Sequence, residues 1–316
     1  LVRWEAAHVL AQRAILANVE RRAQGVEMRV ETTLVDAFAA LFTDRSAAPA
    51  LVTASVMLPD ETWLAGLMDE VDVDGIHAAR DFVRHELAVN LEATIGARYE
   101  ELAAPGPYDK SAAAIANRSL RNACLAYLME TPGGSALARQ QLADSDNMTD
   151  TLAALRVLAW KGDASAGAAL DEFADRWQGD ALVMYKWFNI QPSVPGAATV
   201  ERVRDLLEHP AFSLKNPNKV RALLGVFSVA NPTAFHAAGG DGYRLLADRI
   251  MDLDVLNPQV AARLAAAFNS WLRYDGKRKA LMRAELARIA SRPGLSGNVA
   301  EIVGSALAME GKRAAP

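Results

Sequence analysis

Apolar residues recur at three- and four-residue steps along almost the whole chain, and helix breakers interrupt that pattern again and again. Trp4, Ala7, Ala11, Ala14 and Ile15 make one face of the first segment, while Arg3, Glu5, Arg13, Glu20 and Arg21 take the other. The same spacing returns at Leu152, Leu155 and Ala159, at Val200, Val203 and Leu207, and at Val260, Leu264, Ala267, Phe268 and Trp271. Between such runs stand Pro49, Pro59, Ala104-Pro105-Gly106-Pro107, Thr131-Pro132-Gly133-Gly134, Gly162, Gly179, the 192–196 stretch, Pro210, the 239–242 stretch and Pro293-Gly294. One-sided helices this short are not stable alone, so each must bury its stripe against a neighbour. The pattern predicts an all-α fold: an irregular, solenoid-like superhelical array of a dozen or more short helices, forming one continuous domain over residues 1–316.

Strand signal is confined to Val26, Met28 and Val30, which alternate with charged residues but have no partner strand, and reads as an extended link. Asn-Pro pairs at 216, 231 and 257 each open an apolar periodic run. Asparagine suits the N-cap, and proline the first helical position, where its missing N–H leaves no bond unmade. No strict period of the tetratricopeptide or ankyrin kind is present, so the stack is expected to be irregular.

Composition removes several function classes. Thirty-four Lys and Arg against 38 Asp and Glu give a net charge of −4, which argues against a protein built to grip nucleic-acid backbones. The single cysteine, Cys124, permits neither an intrachain disulfide nor a Cys-only zinc site, and points to a reducing compartment. The longest uncharged stretch, 222–240, is broken by Asn231-Pro232 and ends in Gly239-Gly240, so it predicts short helical pieces and no membrane span. Leu1 runs straight into an amphipathic segment, from which the chain is expected to be a piece of something longer.

The familiar catalytic patterns fail one by one. His85-Glu86 begins like a zincin helix, but Val89 stands where the second imidazole belongs. His77, Arg84, His85 and Glu86 then read as a helix surface. The 70–75 run has an EF-hand rhythm, with Glu70 where the loop wants Asp and Asp81 where it wants a bidentate Glu; acidic residues before a helix are the simpler reading. The 162–167 run misses the nucleophile-elbow spacing and reads as a loop, and Cys124, amid Leu120, Leu125 and Leu128, as a buried small hydrophobe.

Two arginines share a setting. Arg263 lies beside the stripe of the run opened by Asn257-Pro258, with Gln259 one turn earlier and Ala266 and Ser270 continuing the flank. Arg221 lies beside the stripe Val220, Leu223, Leu224 and Phe227, on a flank continued by Gly225 and Ser228. Exposed guanidinium groups beside small residues can bind a carboxylate through paired N–H donors, although periodicity alone favours solvated or ion-paired charges.

Several uncommon words, in order, carry a family resemblance. They are Arg118-Ser119-Leu120-Arg121-Asn122-Ala123-Cys124-Leu125, Asn147-Met148-Thr149-Asp150, Lys186-Trp187-Phe188, Asn216-Pro217-Asn218, Asn231-Pro232 with Ala234-Phe235-His236, Asn257-Pro258-Gln259-Val260-Ala261, and Arg273-Tyr274-Asp275. The sequence closely resembles the C-terminal domain of bacterial aminopeptidase N, most strongly over 112–280 and less over 40–110 and at the Gly311-Lys312-Arg313 tail.

That resemblance implies a helical superhelix closing over a thermolysin-like catalytic domain of the same polypeptide, with peptides as substrates and a bacterial, cytoplasmic setting. It places the zinc and its His-Glu-x-x-His ligands upstream, so this stretch is expected to hold no cofactor and to be inactive alone. It also implies that Arg221, Arg263 and, more weakly, Gln259 face the substrate cavity and contact the distal part of the peptide, which reverses the preference from periodicity. The alternative is a free-standing helical scaffold that binds protein partners on a concave face.

Overall fold

Each Asn-Pro pair opens a helix as its chemistry dictates. Asn216 Oδ1 accepts the backbone N–H groups of Asn218 (2.9 Å) and Lys219 (3.3 Å), Asn231 Oδ1 that of Ala234 (3.2 Å), and Asn257 Oδ1 that of Val260 (3.2 Å). Proline follows at the helix start every time. Asn257→Ala removes one such acceptor and is expected to lower stability by about 1 kcal/mol in urea titration. Asn231→Ala is expected to lower it further, because the Asn231 amide also donates to the carbonyls of Pro192 (2.8 Å) and Val194 (2.6 Å).

The computed structural model describes residues 2–103 and 108–313. The breaker run at 104–107 and Leu1 lie outside the described residues, as do the side chains of Arg3 and of the Gly311-Lys312-Arg313 tail. Among the described residues there are helices and connections and no strand. Residues 24–31 form the extended link that the alternation predicts, pinned by Asn18, which donates to Arg29 O and accepts Arg29 N–H, both at 2.8 Å. The chain packs as two compact units, Leu1–Leu64 with Asp74–Leu170, and Ala65–Val73 with Asp171–Pro316.

In the first unit the Ala112–Leu128 helix is the hub, packed on the Pro49–Val56, Glu92–Glu101 and Met148–Trp160 helices. Its inward stripe, Leu120, Cys124, Leu125 and Leu128, is buried, so Cys124 is the small core residue its neighbours predict. Burial pushes the Cys124 thiol up to about 12, leaving it inert at neutral pH. Tyr127 stands edge-on to Phe42 (5.7 Å) and Phe38 (6.5 Å) and donates to Val56 O at 2.5 Å. The Gly134–Asp144 helix turns back so tightly that a Cβ on Gly134 would fall 2.1 Å from Leu128 O.

In the second unit the Asp241–Leu256 helix packs on the Pro258–Ala265 and Gly276–Ala290 helices, and the Gly297–Arg313 helix covers both of the latter. Phe235 is the centre of an aromatic core, edge-on to Phe227, Tyr243 and Phe268 at 5.2–5.9 Å. The 65–73 segment belongs here because Arg273 holds it. Its guanidinium donates to the carbonyls of Ala65 (2.8 Å), Gly66 (3.1 Å) and Met68, and Arg273 O accepts the N–H of Val71 at 2.7 Å.

Two runs depart from uniform α-helix. After Asn216-Pro217 the chain makes one α-turn, Pro217–Val220, then a π-turn, Arg221–Gly225, then Val226–Ala230. Ala222, Leu223 and Leu224 are all buried within the wider turn. After Asn257-Pro258 the α-helix ends at Ala265, and single 3₁₀ turns follow at Ala266–Phe268 and Trp271–Arg273. In the second of these turns the buried Trp271 indole donates to Ala306 O at 2.9 Å.

Candidate functional site

The paired arginines lie in the second unit, each on a helix that an Asn-Pro cap positions. Arg263 and Gln259 are exposed one turn apart on the Pro258–Ala265 helix, with Ala261, Leu264 and Ala265 buried on the other side. Among the described residues neither side chain makes a hydrogen bond or ion pair. Arg221 is also exposed, as the first residue of the π-turn. Its guanidinium turns back to Pro217 O (Nε–O 3.3 Å) and to Asn218 Oδ1, and meets no carboxylate among the described residues. A Cβ on Gly225 would come no nearer than 3.9 Å, to Arg221 Cβ, so that side of the arginine is open.

The flanks are shorter than helical spacing predicts. Ser228 is buried and donates to Leu224 O at 2.8 Å, because the π-turn has rotated it inward. Ser270 is half-buried beyond the end of the α-helix and does not continue the Arg263 flank. Gln259 and Arg263 are therefore brought together by one helix, whereas Arg221 stands on another and shares no hydrogen bond with them.

These groups have no acid partner among the described residues. Elsewhere in the unit Arg244 meets Asp241 (3.0 Å), Arg249 meets Asp252 (3.0 Å), Arg278 meets Asp275 (2.9 Å) and Arg288 meets Asp248 (2.7 Å). The sequence explains the difference: no Asp or Glu stands between Glu208 and Asp241, or between Asp254 and Asp275. These acid-free windows hold Lys215, Lys219 and Arg221 in one and Arg263 and Arg273 in the other, Arg273 being taken up by backbone carbonyls. Such cations suit a ligand that brings its own carboxylate or carbonyl oxygens.

The other polar candidates sit in structural roles. His77 Nδ1 lies 2.7 Å from Glu61 Oε1, and that hydrogen bond raises the His77 pKa; Nε2 is 3.5 Å from Asp81. His85 and Val89 are exposed on the Val73–Asn90 helix, and the 162–167 run is a turn bridged by Asp163 and Ser165 into the next helix. Among the described residues no three His, Cys, Asp or Glu side chains are grouped to hold a metal ion. His236, a residue that spacing alone does not single out, is buried between two tyrosines, with Nδ1 2.9 Å from Tyr243 Oη and Nε2 2.9 Å from Tyr274 Oη.

Comparison with known proteins gives this arrangement its context. Residues 1–308 match the family model described as a domain of unknown function (DUF3458_C) with ARM repeats. Aminopeptidase N of Escherichia coli is 38% identical over 97% of the chain, and that of Caulobacter vibrioides 38% over 96%. The chain spans only 35% of the length of either relative. A crystal structure of Legionella pneumophila aminopeptidase A in complex with aspartic acid superposes with a TM-score of 0.88 at 30% identity, over 97% of this chain and 37% of that one. With no strand among the described residues and a match over residues 1–308, the chain belongs to the DUF3458_C family, the ARM-repeat domain of the bacterial aminopeptidases N.

Proposed function

We propose that the chain is the C-terminal domain of a zinc aminopeptidase that removes N-terminal residues from peptides. In this reading all of 1–316 serves as one helical superhelix that closes over an upstream catalytic domain of the same polypeptide and forms the cavity through which peptides pass. The observation that carries it is the 38% identity to aminopeptidase N across 97% of the chain. The zinc and its ligands belong to the upstream domain, and this stretch by itself hydrolyses nothing. The setting is the bacterial cytoplasm; among the described residues no helix is long and apolar enough to cross a membrane.

Within that reading Arg263 and Arg221, with Gln259 as a weaker companion, bind the distal part of the peptide. Arg263 is the better placed, since its donors have no competing acceptor among the described residues, whereas Arg221 must first release Asn218. A hydrogen bond to a charged group contributes about 1.5–3 kcal/mol, so in the complete enzyme Arg263→Ala is expected to raise KM for tripeptides roughly tenfold or more. KM for a single amino-acid amide, too short to reach the arginine, is expected to stay within a factor of two or so. Equal effects on both substrates would remove Arg263 from the peptide path. A complete protein without aminopeptidase activity would overturn the whole reading.

A further inference from the structure

The first unit carries a groove of about 360 Å³, walled by the Pro49–Val56, Val73–Asn90, Ala112–Leu128 and Met148–Trp160 helices. Much of the wall is apolar, from Val56, Met57, Ala126 and Val157, and Trp160 stands partly exposed among the lining residues. The polar lining is strongly one-signed. Arg80, Arg84, Arg156 and Lys161 all line the groove, against a single carboxylate, Glu130.

That carboxylate is already committed. Glu130 has a side chain only 6% exposed, with Oε2 2.5 Å from Lys161 Nζ. Its Oε1 lies 3.5 Å from Arg84 Nε, and neither of these two buried atoms makes a hydrogen bond. Arg84 turns its other end to Asp81, outside the groove lining, and Arg80 donates to the carbonyl of Pro59 at 2.7 Å. Burial, and after it the nearby Arg84, lower the Arg80 pKa against the opposing pull of Glu61 and Asp81. With Glu61 and Asp81 standing behind Arg80 and Arg84, the four cations of the lining meet three carboxylates, and one further anion would offset the difference. The volume is in the range of small-molecule sites, about 300–1,000 Å³, and the mixture of apolar wall and few convergent polar groups is theirs too.

We propose that this groove is a binding site for a small carboxylate on an apolar, ring-sized body, with the carboxylate against Lys161 and the neighbouring arginines and the body against Val56, Ala126 and Val157. The site is separate from the Arg221 and Arg263 positions in sequence and in unit, and it does not depend on the aminopeptidase reading. The neutral amide of such a ligand keeps the apolar contacts and loses the charge, which makes it the natural control.

The test is isothermal titration of the complete protein with 3-phenylpropionate and with 3-phenylpropionamide, together with tryptophan fluorescence. The acid is expected to bind one-to-one, at least tenfold tighter than the amide, with a fluorescence change that Trp160→Phe abolishes. Lys161→Met and Arg156→Gln are each expected to weaken the acid several-fold and leave the amide alone, and Glu130→Gln, which removes the internal competitor, to tighten it. Circular dichroism checks that each variant is folded. Equal affinity for acid and amide, no binding at millimolar concentration, or binding untouched by both Lys161→Met and Arg156→Gln would overturn the proposal.

Discussion

Gly134→Ala is expected to destabilise the first unit by about 3 kcal/mol or more, and to lower its melting temperature by roughly 6–12 °C. The reason is backbone geometry. The added methyl would lie 2.1 Å from Leu128 O, 2.5 Å from Met129 Cα and 2.8 Å from Leu128 C, and none of these atoms can swing aside as a flexible side chain would. Room can come only by parting the Gly134–Asp144 helix from the end of the Ala112–Leu128 helix. That movement would strain the link between Thr131 and Leu128, where the hydroxyl donates to the carbonyl at 2.9 Å, and the N–H bond from Gly134 to Thr131 O at 3.0 Å. It would also disturb the buried network in which Gln141 accepts from Tyr99 Oη and donates to Asn122, each at 2.8 Å. Gly133→Ala is the matched control, since a Cβ there meets nothing within 4 Å. Thermal melts of the two variants should separate cleanly, and equal melting temperatures would remove the close-approach argument.

The second large effect is a pH dependence seated on His236. Its ring is buried, and desolvation, with Arg278 nearby adding to it, lowers its pKa from 6.5 to about 3. A group whose folded pKa is depressed below its unfolded value binds fewer protons when folded, so stability rises with pH across the window between the two values. The contribution is complete above about pH 6.5 and drains away as pH falls toward 3. At pH 5 the part lost is about 2 kcal/mol, from roughly 1.5 pH units at 1.36 kcal/mol each. His77 works in the opposite sense: its pKa is raised by Glu61, so its contribution is present at low pH and lost as pH rises. The difference between wild type and His236→Gln isolates one from the other. Urea unfolding at pH 8 and pH 5 should show the wild type losing about 2 kcal/mol more than the variant between the two conditions. Parallel losses in both proteins would mean that His236 is protonated without penalty in the folded state.

Much of the helix architecture is legible from single residues. The Asn-Pro pairs state both the cap and the first helical position, and they do so locally, within four residues of chain, which is why they hold in the structure. The burial of Cys124 and the extended link at 24–31 follow from the same near-neighbour logic. The helix ends are different. Nothing near Ser270 says that the α-helix will stop at Ala265 or that the Trp271 indole will reach for Ala306 O, 35 residues later. Likewise no residue near Arg221 announces the π-turn that begins there. That Arg263 and Arg221 meet no carboxylate among the described residues agrees with the acid-free windows around them. The groove was not legible, because the helical pair Arg80 and Arg84 meets Glu130, Arg156 and Lys161 from distant stretches of chain, and no spacing links the two sets.

The clasp that Arg273 makes on the carbonyls of Ala65, Gly66 and Met68 imposes an order on the birth of the protein. Residues 65–73 leave the ribosome some two hundred residues before the guanidinium that holds them, at a synthesis rate of about 5–20 residues per second. For that interval, roughly ten seconds or more, those carbonyls lack the guanidinium that clasps them in the finished fold. The second unit is thus stitched from an early thread and a late one, and cannot close until nearly the whole chain exists. A gene cut between Leu170 and Asp171 would sever the stitch and leave a charged guanidinium facing the place where its acceptors should be.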